Sequence, residues 1–149
     1  MRLEGITETT RGHRLRTSPE RQRGVSILVV DDDPVACRAT AAVLDDSGYA
    51  VEWTTEPAIA LERVRRLPYA LVISDVQMPA LRGTALAAEL ARVRPETKVV
   101  LMSALADART NAEAAELGVP LLQKPVTLSE LLGTVARLTG TERTNGLQP

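Results

Sequence analysis

From Val25 onward, short apolar runs alternate with longer stretches whose apolar residues recur every three or four positions. The runs Val25–Val30, Ala50–Thr54, Ala70–Asp75, Lys98–Ser103 and Leu121–Gln123 have the lengths of strands, and several are too apolar to leave one face in water. Five helices are predicted between and after them. Asp33 is placed to cap the first, with Pro34 at its opening position and Gly48 closing it. Val35, Ala39, Ala42 and Val43 are expected on its core face. The second runs from about Pro57 to Arg66, with Ala60, Leu61, Val64 and Leu67 inward. The third covers Gly83–Val93 and turns Leu86, Leu90 and Val93 to the core, with Pro95 stopping it. Ala108–Leu117 makes an alanine-rich fourth helix, ended by Gly118 and the most weakly anchored of the set. Thr127-Leu128-Ser129-Glu130 has the spacing of a capping box, and Leu128, Leu131, Leu132, Val135 and Leu138 form the stripe of the fifth.

Strands that alternate with helices imply right-handed crossovers and an α/β fold, its mostly parallel sheet covered on both faces. Pattern alone does not order the strands. In a doubly wound 2-1-3-4-5 order, the ends of strands one and three flank the crevice where such sheets bind ligands. Both ends are acidic here. Ile27-Leu28-Val29-Val30 runs into Asp31-Asp32-Asp33, and Leu71-Val72-Ile73-Ser74 runs into Asp75, with a loop marked by Met78-Pro79 and Gly83. Helix capping accounts for Asp33 but leaves Asp31 and Asp32 without a task. Three converging carboxylates repel one another, and a hard divalent cation such as Mg²⁺ relieves that repulsion. Ser103 adds a hydroxyl at the end of the fourth strand, and Lys124, fixed before Pro125, adds a cation at the end of the fifth. Such a set suits phosphoryl transfer. Asp75 attacks, metal and lysine neutralise the spreading charge, and the serine binds a transferred oxygen.

The totals exclude other classes. At 149 residues, 44% hydrophobic and 25% charged, the chain fits one ordinary domain with tails. The single cysteine, Cys37, rules out an internal disulfide framework or thiolate cluster, fits a reducing compartment, and reads as a small buried hydrophobe. With His13 the only histidine, no multi-histidine metal site is available. No apolar stretch approaches the roughly 18 residues of a spanning helix, and the N-terminus lacks the apolar core of a secretion signal. A cytoplasmic protein without a membrane span is expected. Net charge is −1, which gives no general pull on nucleic acid. Charge is nevertheless uneven. Residues 1–24 hold six arginines against three glutamates, whereas residues 25–138 hold eleven Lys/Arg against fifteen Asp/Glu. Residues 1–24 are expected to be a disordered basic leader, 25–138 the folded domain, and 139–149 a frayed tail.

Four pieces carry a resemblance: Val29-Val30-Asp31-Asp32-Asp33-Pro34, Asp75 with Met78-Pro79 and Gly83, Met102-Ser103-Ala104, and Lys124-Pro125. In order and spacing they resemble the receiver domains of two-component response regulators, of the chemotaxis-regulator-like kind. The resemblance covers residues 25–138 and implies a flavodoxin-like fold, five parallel strands ordered 2-1-3-4-5 with five helices. It implies that Asp75 is the phosphoacceptor and that Asp31 and Asp32 hold Mg²⁺, Asp32 being the more direct ligand. Gln77 would give its backbone carbonyl to the metal, Ser103 would be the switch hydroxyl, and Lys124 would contact the phosphoryl group. A histidine kinase or histidine phosphotransfer protein would be the donor. The domain would promote its own phosphorylation and dephosphorylation rather than act as an enzyme on other substrates. No room for an output domain remains after Leu138, so a stand-alone receiver is expected. It would signal by binding a protein partner through the face of helix four, strand five and helix five, or by forming a homodimer on phosphorylation, without binding nucleic acid directly.

Three positions depart from the family's habit. Leu121 replaces an aromatic common three residues before the lysine. Arg82 stands where an acidic residue is common before the glycine, and reads as a solvated loop charge or a holder of an anion or partner. Leu105 is apolar where rapidly self-hydrolysing members place a polar side chain, which implies a phospho-aspartate of moderate to long life. Two rival readings compete. A haloacid-dehalogenase-type phosphohydrolase would use Asp31 of Asp31-x-Asp33 as nucleophile, yet nothing after Asp107 supplies its second acidic motif. A receiver-like module that binds regardless of phosphorylation is compatible with Leu121 and Arg82, but gives the acidic set nothing to do.

Overall fold

The computed structural model describes residues 24–105 and 107–142. All of the expected leader except Gly24, and the tail from residue 143, lie outside the described residues. Five strands alternate with five helices: β1 Ser26–Val30, α1 Pro34–Asp46, β2 Ala50–Thr54, α2 Pro57–Arg66, β3 Leu71–Asp75, α3 Gly83–Val93, β4 Lys98–Ser103, α4 Ala108–Leu117, β5 Leu121–Gln123 and α5 Leu128–Thr139. All strand pairs are parallel, and the sheet runs β2-β1-β3-β4-β5. This is the doubly wound order, with β1 and β3 as neighbours at its centre.

Period-two alternation divides the core. Leu28, Val30, Val72, Val99 and Leu101 point to one side of the sheet and pack with Ala60 and Val64 of α2, Leu86 and Leu90 of α3, and Ala114 of α4. Ile27, Val29, Leu71, Ile73, Val100, Met102 and Leu122 point to the other and pack with Cys37, Ala41 and Leu44 of α1 and Leu131 and Val135 of α5. Central strands buried on both faces explain the near-continuous apolar runs. Each fully buried leucine, isoleucine or valine contributes about 1.5–3 kcal/mol relative to exposure.

Helix faces were less legible. On α1 the buried positions are Cys37, Ala41 and Leu44, whereas Val35 is 69% exposed and Ala39 and Ala42 also face solvent. The helix carries two stripes at the same spacing, and its one leucine decides which is buried. Leu67 lies at the C-cap of α2, past the last helical turn, and Leu128 opens α5 beyond the reach of the sheet; both are exposed. Capping follows expectation more closely. Asp33 accepts from the Val35 N–H, and Thr127 accepts from the Glu130 N–H. Gly118 closes α4 in the left-handed region at φ 69°. The frayed tail does not start at residue 139. Thr139 belongs to α5, and buried Thr141 exchanges a 2.7 Å hydrogen bond with the Tyr49 hydroxyl.

Candidate functional site

The alternation that divides the core also aims the side chains at the carboxyl edge. Asp31 follows Ile27 and Val29, Asp75 follows Leu71 and Ile73, and Lys124 follows Leu122, all in the register that faces α1 and α5. They meet. Asp31 is 2% exposed and Asp75 5% exposed. Lys124 Nζ lies 2.8 Å from Asp75 Oδ1 and 3.5 Å from Asp31 Oδ2. Asp32 is exposed, yet one carboxylate oxygen from each of Asp31, Asp32 and Asp75 falls within 4.8 Å of the others. The three consecutive aspartates have separate tasks. Asp33 caps α1 and donates its N–H to Asp31 Oδ1 at 3.0 Å, which fixes the Asp31 carboxylate; Asp32 reaches the open side.

Burial raises the Asp75 carboxyl above the ordinary aspartate range; Lys124 opposes the rise, and Asp31 and Asp32 add to it. Burial by itself would lower Lys124, but its pairing with Asp75 and Asp31 wins, and the ammonium is held above its usual value. Beyond these ion pairs, the buried Asp31 Oδ2 and Asp75 Oδ1 receive no directed hydrogen bond among the described residues. Undersatisfied carboxylate oxygens on a partly open edge fit Mg²⁺, a hard cation that takes a few carboxylates and keeps several waters. Asp31, Asp32 and Asp75 could hold it. Cys37, which sits beneath this cluster, is not a candidate ligand. Its Sγ donates to the Val29 and Thr54 carbonyls, and burial pushes its thiol up to about 12.

The backbone behind Asp75 is tightly held. Val76 N–H donates to the Met102 carbonyl at 2.8 Å, and Gly83 N–H donates to the Val76 carbonyl at 2.9 Å. A Cβ on Gly83 would lie 2.1 Å from the Asp75 carbonyl oxygen. The sequence marks Gly83 as a loop end and helix start; that the first turn of α3 rests directly on the Asp75 peptide was not visible there.

Ser103 continues the opposite register and stands apart from the acidic cluster. It is 1% exposed, and its hydroxyl lies 2.6 Å from the Leu105 carbonyl and 3.2 Å from Gln77 Oε1 while accepting the Leu105 N–H at 3.0 Å. Gln77 thus enters the site through its side chain, a contact its sequence position did not suggest. Arg82 is not a solvated loop charge. Its Nη2 donates to Glu113 Oε1 at 2.7 Å and to Thr110 Oγ1 at 3.2 Å, and Thr84 Oγ1 donates to the same glutamate oxygen. The Arg82 bond also holds the Glu113 carboxyl below its ordinary range. Because α4 buries only Thr110 and Ala114, this cluster supplies much of its attachment to the β3–α3 loop. Leu121 is half-buried against the core on the α4 side, and Leu105 is 55% exposed beside Ser103.

Residues 27–136 match the family described as the response regulator receiver domain. The chain belongs to that family. This receiver is 34% identical over 114 residues to the transcriptional regulatory protein ZraR of Escherichia coli (strain K12), a match that covers 76% of this chain but 26% of ZraR. It is 27% identical to the response regulator receiver protein CpdR of Brucella abortus (strain 2308), across 75% of this chain and 94% of CpdR. The crystal structure of a CheY-like receiver domain protein from Methanospirillum hungatei JF-1 superposes with a TM-score of 0.74 at 25% identity, covering 78% of this chain and 95% of that one. As a receiver, the chain is a phosphoacceptor signalling domain of two-component systems rather than a classical enzyme. Receivers generally bind Mg²⁺ at the aspartate cluster and work with histidine kinases and downstream targets. Among the described residues no helix is long and apolar enough to cross a membrane.

Proposed function

We propose that this receiver, over about residues 25–138, takes a phosphoryl group on Asp75 from a phosphohistidine and thereby changes its affinity for a protein partner. The observation that carries the assignment is the buried Asp75 carboxylate at the end of the central strand, 2.8 Å from Lys124 and within 4.8 Å of two further carboxylates. Mg²⁺ bound there would offset the negative charge of carboxylates and phosphoryl oxygens. The residues supply the rest. Asp31, held by the Asp33 N–H, and Asp32 would form the acidic pair that holds the ion, and the Gln77 carbonyl would offer it a further oxygen. Lys124 stays protonated and balances the charge of the incoming group. A lone pair on an Asp75 carboxylate oxygen forms the new O–P bond as the N–P bond of the donor breaks. The electron pair of that bond returns to the imidazole, which leaves neutral when its other nitrogen carries a proton. Ser103 then turns toward a transferred oxygen, and the two arrangements of the β4–α4 segment differ in what they bind.

Similarity to CpdR, a response regulator receiver protein matched over 94% of its length, supports a receiver that works without an attached output domain. The face of α4, β5 and α5 is the proposed partner surface, either for a downstream target or for a second receiver. A cytoplasmic setting follows from the same chemistry, because the donor is a histidine kinase or histidine phosphotransfer protein. The test is transfer of labelled phosphate from such a donor to wild type and Asp75→Asn. Label on wild type alone supports the assignment, and equal labelling of both removes it. Partner affinity with and without beryllium fluoride then separates a phosphorylation switch from constitutive binding.

A further inference from the structure

We infer that the side chain of Gln77 gates the site, its amide oxygen occupying the donor pair that an oxygen of the transferred group would need. The inference rests on the phosphoacceptor reading and concerns what stands in the way of that group. Asp75 pairs with Met102 in the sheet, so continuing that register brings Val76 and Gln77 opposite Ser103 and Ala104. Gln77 crosses this gap. Its Oε1 lies 3.2 Å from Ser103 Oγ and 3.3 Å from the Ala104 backbone nitrogen. A hydroxyl and a backbone N–H from adjoining residues, aimed at one oxygen at the sheet edge that carries Asp75, form an oxyanion-type cradle. Here the chain's own amide fills it.

The orientation of that amide is fixed by chemistry. Turning it over would set Nε2 against the Ala104 N–H, donor against donor. In the orientation observed, Nε2 is buried and has no hydrogen-bond partner among the described residues. Burying an unmet donor is unfavourable, so the side chain is held by its oxygen alone and at some cost. The hold on Ser103 is also divided. Its single proton is shared between the nearer Leu105 carbonyl and Gln77 Oε1, while the Leu105 N–H donates back to it. A charged phosphoryl oxygen makes stronger hydrogen bonds than a neutral amide oxygen and would displace it. Gln77 is thus a positioning residue: it keeps Ser103 and Ala104 in the resting arrangement and lowers affinity for the group they would bind.

Equilibrium binding of beryllium fluoride in the presence of magnesium, followed by calorimetry or ¹⁹F NMR, tests the gate without a kinase. Gln77→Ala keeps the backbone carbonyl and should bind about tenfold more tightly, the change expected from one lost competing hydrogen bond. Gln77→Glu, which sets a carboxylate on the same donors, should bind more weakly than wild type. In a Ser103→Ala background the gain from Gln77→Ala should shrink, because one of the two contested donors is gone. A side chain of merely structural value would loosen binding when removed, so the sign of the change is decisive. Unchanged or weaker binding by Gln77→Ala, with wild type binding normally, would overturn the gate alone. Failure of wild type to bind at all would overturn the phosphoacceptor reading and the gate with it.

Discussion

The two halves of the crevice are built differently. On the β1–β3–β5 side, Asp31, Asp75 and Lys124 are carried by strand ends and aimed by the same alternation that buries Val29, Ile73 and Leu122. On the β4–α4 side, side-chain hydrogen bonds across loops join Ser103 to Gln77 and, separately, Arg82 to Glu113, next to a helix with two buried residues. The first half has one arrangement because moving it would move the sheet. The second has few buried apolar contacts to lose, which is the property a region must have to take up two arrangements. On the proposed function, the accepting group lies on the rigid side and the means of reporting on the looser one.

The largest effect should come from disturbing the rigid side at its backbone. Gly83→Ala forces a Cβ to within 2.1 Å of the Asp75 carbonyl, with no flexible side chain to yield. It should cost about 3 kcal/mol, the upper end for overpacking, in urea unfolding. A loss below 0.5 kcal/mol would mean that this junction is softer than the distance implies. Next in size is Lys124→Met, which leaves Asp31 and Asp75 facing each other without their cation. A loss of about 2 kcal/mol at neutral pH and without metal is expected, after allowance for the partial exposure of the lysine. This lysine's pKa is raised in the folded state, so its contribution is complete at neutral pH and fades only as alkaline pH rises through that value. Acid shrinks the cost of the substitution from the other side, by protonating the carboxylates. A cost that stays constant down to the ordinary carboxylate range would argue against the pairing.

The same contrast explains what the sequence disclosed. Strand ends were legible because period-two runs fix where a chain stops and which way its last residue points, and Asp31, Asp75 and Lys124 are such residues. Asp33 was legible because an aspartate before a proline at a helix start has one common task. The face of α1 was misjudged because alanines at 39, 41 and 42 fill either stripe, and only packing around Leu44 chooses. Arg82, Gln77 and Gly83 were opaque for a different reason. Their roles depend on what lies across a loop, where no periodicity relates residue 82 to 113 or 77 to 103.

Smaller effects refine the comparison. Asp75→Asn removes a buried charge and should stabilise the metal-free protein by about 1 kcal/mol at neutral pH. The sign follows from the raised pKa. The folded state favours the protonated carboxyl, so wild type gains stability as pH falls through the folded value, and the advantage of the variant disappears below the ordinary aspartate range. A thermal-melt series against pH checks this; an advantage that grows in acid would refute it. Arg82→Ala should change global stability least of all, but hydrogen exchange in α4 should quicken while β1 and β3 keep their protection. Equal acceleration in all three would erase the distinction between the two halves.

The proposed accepting oxygen lies in the rigid half, on Asp75. Incubation with a small phosphoryl donor and magnesium, followed by borohydride trapping and peptide mass mapping, locates it directly. One phosphoryl group per chain, on Asp75, is the expected result. Modification of Asp31 instead, or none at Asp75, would contradict it.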